Sequence, residues 1–132
     1  MLAGCGEPWG LERETALRLA RALGSGMSAG DICGAVNAGG MVLGLVQGPL
    51  GPDDPDTRRR VKEQNREFQR RFRAVHGTIV CRELLGVDPN DKDAFDGAID
   101  KGNFKARCGS FVATAARILE EMLGNGPGQP PA

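Results

Sequence analysis

Four cysteines, Cys5, Cys33, Cys81 and Cys108, are the residues of this 132-residue chain best suited to chemistry. With no Tyr and a single His, acid–base work would fall mainly to carboxylates and thiols. The spacings exclude the common cysteine motifs. There is no CxxC pair of the thioredoxin kind, and positions 33, 81 and 108 lie too far apart for a zinc finger or a ferredoxin loop. Any cooperation among these sulfurs must therefore come from folding. In a reducing compartment permanent disulfides are uncommon, so four cysteines read as redox-active, regulatory or metal-binding sulfur. The competing reading is small buried hydrophobes, a frequent fate of free Cys.

Three of the four share a setting. Cys33 opens the run GDICGAVNAGG and is expected in the first turn of a helix over 31–47. Cys81 is expected in the first turn of a short helix capped by Thr78 and ended by Gly86. Cys108 follows Lys105 and Arg107 near the start of the last helix. Amino-terminal helix turns and nearby cations favour thiolate over thiol, which makes Cys33, Cys81 and Cys108 candidate catalytic thiols. His76, five residues before Cys81, could serve as a metal ligand, although a lone His at a helix end is more often a cap or a surface residue.

The elements that must bring these residues together read as helices. Residues 11–23 place Leu11, Ala16, Leu17, Leu19, Ala20 and Leu23 at helical spacing, with Gly24 as a stop and GSGMSAG as a flexible loop. The helix over 31–47 is apolar nearly all round and belongs at a bundle centre. Its Gly residues weaken it, at about 1 kcal/mol per Gly relative to Ala, which a chain accepts where another backbone or a ligand must approach closely. A Pro- and Gly-rich loop spans 48–56. A long polar helix over 56–75 has Val61, Phe68, Phe72 and Val75 as its buried seam. The last helix, about 105–123, turns Phe111, Ala115, Ile118, Leu119 and Met122 inward. The expectation is an all-α, compact helical bundle of about four main helices plus one or two short ones. It forms one domain over 1–124 with a disordered tail at 125–132.

Charge narrows the function. Seventeen basic and seventeen acidic residues cancel. Eight of residues 57–73 are Arg or Lys, but stacking aromatics and nucleic-acid motifs are missing. That face reads as a solvated surface balanced by Asp88, Asp91, Asp93, Asp96 and Asp100, so no nucleic-acid partner is expected. DPNDKDAFDGAID has Lys92 where a calcium loop needs an oxygen ligand and no closing Glu. No stretch reaches the ~20 apolar residues of a membrane span. LAGC at 2–5 imitates a lipoprotein box without a hydrophobic stretch before it, so a cytoplasmic location is expected.

DICGAVNAGGMVLGL, TIVCRELLG and KARCGSFVATAARILEEML, in that order, resemble the C_GCAxxG_C_C family, named for four cysteines of which one sits in a CGAxxG motif. ETALRLA before the Gly-rich loop and the paired Phe of the long helix fit the same pattern, over roughly residues 8–124. The resemblance implies an α-helical domain with a thiol redox role, and it matches Cys33, Cys81 and Cys108 to family cysteines. Ala38 departs from the motif's Gly, with Gly39 and Gly40 following at once. Cys5 lies in a short GCGEPWG context where the family's first cysteine usually sits in a helix further upstream. The leading expectation is reversible thiol–disulfide chemistry with a redox partner protein. The alternatives are a metal or iron–sulfur module, using these three cysteines with Cys5 or His76, and a non-catalytic helical domain that binds a partner or a second copy as a homodimer.

Overall fold

A computed structural model describes residues 1–47, 54–100 and 102–124. Seven α-helices run in order among them: α1 (Leu2–Gly6), α2 (Arg13–Ala20), α3 (Gly34–Val46), α4 (Pro55–His76), α5 (Cys81–Leu85), α6 (Lys92–Asp100) and α7 (Asn103–Leu123). The described residues contain no strand, only one isolated antiparallel bridge between Ile32 and Val80. The all-α expectation holds. Most of the loop expected at 48–56 and the tail expected at 125–132 lie outside the described residues.

Helix α3 is the centre, packed against α1, α4 and α7. Val42 and Leu43 are fully buried, and Ala35, Val36, Ala38 and Gly39 nearly so. The small residues have a specific reason. A Cβ on Gly39 would fall 2.3 Å from Cζ of Phe68, a fully buried ring of α4. Helices α3 and α4 therefore approach with a ring standing directly on bare backbone. The helix begins later than 31, because Ile32 is held in the bridge to Val80 and Cys33 is the cap residue.

Helix α4 starts on Asp54, whose carboxylate accepts hydrogen bonds from the N–H groups of Asp56 and Thr57, each at 3.1 Å. Pro55 occupies the first turn, where its missing N–H is harmless. Its inward seam is Thr57, Phe68 and Phe72, with Val61 only partly buried and Val75 54% exposed. Val75 fails as a core residue because His76, four residues after Phe72, takes the inward position of the last turn. The imidazole lies 4.7 Å from the Phe72 ring and 4.9 Å from the Phe111 ring of α7. Arg70 and Arg71 pair with Glu67 of the same helix, and Arg71 also reaches Glu121 of α7 at 3.7 Å. These ion pairs of the basic face thus close on α4 and α7 rather than on the acidic segment.

Two short elements were hidden in the sequence. MLAGCGEPWG forms α1 and a 3-10 turn, Glu7–Trp9, ended by Gly10 at φ 87°. Residues 11–23 divide into α2 and a 3-10 turn, Arg21–Leu23, and the Glu12 carboxylate caps α2 through the Glu14 and Thr15 N–H groups. No helix among the described residues is long and apolar enough to cross a membrane.

The close approach at Gly39 predicts a sign reversal between two glycines of one helix. Gly39→Ala should destabilise the protein by about 1–3 kcal/mol, because the Phe68 ring has nowhere to move. Gly44→Ala, with nothing within 4 Å of its Cβ, should stabilise by up to about 1 kcal/mol. Urea unfolding of both variants gives the comparison. A stabilised Gly39→Ala protein would show that α3 and α4 do not meet there.

Candidate functional site

Two main-chain hydrogen bonds set the position of two cysteines. The Cys33 N–H donates to the Ile79 carbonyl at 2.8 Å, and the Cys81 N–H donates to the Asp31 carbonyl at 2.6 Å. They bracket the Ile32–Val80 bridge and hold the chain entering α3 antiparallel to the chain entering α5. Side chains alternate along extended backbone, so Cys33, Ile79 and Cys81 share one face of this bridge. That face is the core side: the three are 8%, 6% and 7% exposed, against 37% for Ile32. Arg82 and Asp31 pair across the same junction at 3.1 Å. Thr78 braces α5 by accepting the Val80 N–H and donating to the Glu83 carboxylate, although Val80 is the cap residue. Gly86 ends α5 at φ 71°.

Over this pair lies an unusual turn. Ser25, Gly26, Met27 and Ser28 have φ of 52°, 60°, 58° and 60°, a run of left-handed residues of which three are not glycine. Left-handed backbone costs an L-residue about 1–2 kcal/mol, so the surroundings must enforce it. They do so closely. The Gly26 carbonyl accepts the Asp31 N–H at 3.3 Å, and the Asn90 side chain donates to the Ala29 carbonyl at 3.2 Å. A Cβ on Gly26 would stand 2.9 Å from the Cys81 Cβ, and one on Gly34 would stand 2.4 Å from the Leu23 carbonyl oxygen. GSGMSAG, read from sequence as a flexible loop, is a fitted wall. The spacing of Gly24, Gly26 and Gly30 was the available signal.

The third cysteine arrives on α7. Arg107 donates to the Leu85 carbonyl at 3.1 Å and ties α7 to the end of α5. Cys33, Cys81 and Cys108 then line one cavity of about 250 Å³, together with Ser25, Gly26, Leu84, Leu85, Phe111 and Val112. No residue lining it has a charged side chain or an imidazole. Cys33 and Cys81 are buried and Cys108 is exposed; all three are free thiols.

At Cys81 and Cys108 the electrostatics overturn the thiolate expectation. Burial, with the neighbouring Cys33 and Cys108 sulfurs, pushes the Cys81 thiol up to about 11. Burial and Cys33 also raise Cys108. Neither of these two thiols gains from a helix start. Helix α7 begins at Asn103, so Cys108 sits in its second turn, beyond the reach of the terminal dipole. Helix α5 is a single turn of five residues, and the Cys81 N–H is already committed to Asp31. Arg107, expected to favour the Cys108 thiolate, spends a donor on Leu85 instead.

The remaining candidates lie elsewhere. Cys5 is on α1, its Sγ 3.9 Å from the Met1 Sδ, and it lines a different cavity with Trp9, Val42 and Glu120. His76 packs between Phe72 and Phe111, with Nε2 2.9 Å from the Thr114 hydroxyl, and does not line the cysteine cavity. Among the described residues no group of three or more His, Cys, Asp or Glu side chains is arranged to hold a metal ion.

Comparison with known proteins adds one match. The model of the family described as "Putative redox-active protein (C_GCAxxG_C_C)" covers residues 1–122. No match was found among curated proteins or among solved structures.

Two pH dependences follow from the geometry. Alkylation of Cys81, followed by mass mapping of its peptide, should accelerate about tenfold per pH unit from 7 to 10 without levelling off. A plateau by pH 8 would mean that the thiol is not raised. Burial lowers the His76 pKa below its ordinary value of about 6.5, so the folded chain binds a proton there less readily than the unfolded chain. Its contribution to stability is complete above that ordinary value and is lost as pH falls through and below it. His76→Phe keeps the ring packing and should flatten the fall in unfolding free energy between pH 7 and 5. An unchanged slope would assign that fall to other groups.

Proposed function

Since the chain belongs to the C_GCAxxG_C_C family, we propose that it is a thiol redox protein whose working sulfurs are Cys33, Cys81 and Cys108. The observation behind this reading is that three cysteines, from three different elements, line one cavity without charged side chains. In the forward direction two thiols form one S–S bond and release two protons and two electrons to an acceptor, and a reductant reverses the step. Cys108, the exposed thiol, meets the external partner. Cys33 is the common member of either disulfide, since the main-chain bridge holds it beside Cys81 and it lines the same cavity as Cys108.

The cavity supplies no side-chain base, so the departing protons pass directly to the acceptor or to water. This favours a resting state of protonated thiols, suited to a reducing compartment such as the cytoplasm. Pairing Cys33 with Cys81 asks for a small adjustment. Diagonal neighbours of an antiparallel pair stand about 7–8 Å apart, just beyond the usual ~4.4–6.8 Å Cα span of a disulfide. In this reading residues 1–124 work as one helical unit, with a redox protein as the electron partner.

Equilibration in oxidised and reduced dithiothreitol, followed by peptide mapping, tests the proposal. The expected product is an intramolecular disulfide containing Cys33. Cys33→Ala should abolish it, and Cys5→Ala should leave it unchanged. Thiols that stay reduced across the titration, or disulfides found only between chains through Cys5, would overturn it.

A further inference from the structure

The lining of the cysteine cavity also restricts what can enter it. We infer that it binds a neutral, largely apolar small molecule of about one or two rings, and that a quinone of this size is the two-electron acceptor. The inference rests on the redox reading for the acceptor role but not for binding. A dry apolar cavity of ~150 Å³ takes up benzene, so about 250 Å³ leaves room for a larger ring system. Leu84, Leu85, Phe111 and Val112 offer apolar contact, while the three thiols are the soft groups facing the guest. A charged guest would meet no counter-ion among these side chains and would lose its hydration without compensation. Small anionic disulfides are thereby disfavoured inside, and their reaction is confined to exposed Cys108.

The guest's chemistry closes the electron balance. Two protein thiols and a neutral quinone yield one protein disulfide and the hydroquinone: two S–H bonds break, one S–S bond forms, and the two electrons and two protons pass to the quinone. Both protons come from the thiols, so no charged intermediate has to remain in the apolar site after the second proton moves.

Two probes that share a ring and differ in charge test the inference: 2-naphthol and 2-naphthalenesulfonate, titrated by calorimetry into the wild-type chain and into the triple variant Cys33→Ala, Cys81→Ala, Cys108→Ala. The neutral probe should bind both proteins saturably and at least tenfold more tightly than the sulfonate. Val112→Lys, at a position 38% exposed beside the cavity, should weaken 2-naphthol and strengthen the sulfonate. Equal binding of the two probes, or binding of neither, would overturn the cavity assignment even where the thiols still oxidise. Selective binding with thiols that oxidise in dithiothreitol buffers but never with a one-ring quinone would uphold the cavity and overturn its acceptor role.

Discussion

The arrangement of this protein depends on two main-chain hydrogen bonds, from Cys33 to Ile79 and from Cys81 to Asp31. They join segments almost fifty residues apart in the chain, and between them they decide where α3 and α5 begin. A side chain at a helix start has little freedom once the backbone before it is held in extended form. The bridge therefore fixes both sulfurs on one face before any packing is considered. The Arg82–Asp31 ion pair adds little by itself, being largely exposed at both ends, and acts as a brace on the same junction.

Close approach is the second condition, and the glycines of α3 provide it in two directions. Gly39 admits the Phe68 ring and brings α4 onto the core. Gly34, next to Cys33, admits the Leu23 carbonyl and so lets the left-handed turn lie against the cysteine pair. One helix thus serves the core with its middle and the cavity with its first residue. A larger side chain at either point would separate a neighbour from the backbone it rests on, which is why the weak helix-forming composition of this segment is tolerated.

How much of this could be read from the sequence varied with how local the signal was. The inward face of α7 follows from helical spacing alone, and Phe111, Ala115, Ile118, Leu119 and Met122 are all buried as that spacing requires. Cys33, Cys81 and Cys108 group by their expected places at helix starts, and the ordered motifs match the same three. What escaped were the features created by long-range contact. The Ile32–Val80 bridge is too short to leave an alternating pattern. The left-handed path of Ser25–Ser28 is imposed by Asn90 and by the tight fit of Gly26 against Cys81, neither of which is near in sequence. Val75 and His76 exchanged roles because the inward direction of the last turn of α4 is set by the Phe111 ring of α7.

Burial and reactivity pull in opposite directions at this site. The apolar walls that gather the sulfurs also hold Cys81 and Cys108 in the thiol form, which is the poorer nucleophile. A dithiol used as a general reductant would gain from a cation or a base beside it. Here no lining side chain is either, and Arg107, next to Cys108 in the chain, is engaged at the end of α5. Such an arrangement sacrifices speed with indiscriminate, charged oxidants and keeps access for guests that can replace water against apolar walls. Selectivity then comes from the enclosure rather than from an activated sulfur. The strained turn that closes one side of the cavity fits this division of labour, since its backbone conformation is maintained at a cost in stability by the same contacts that shape the wall.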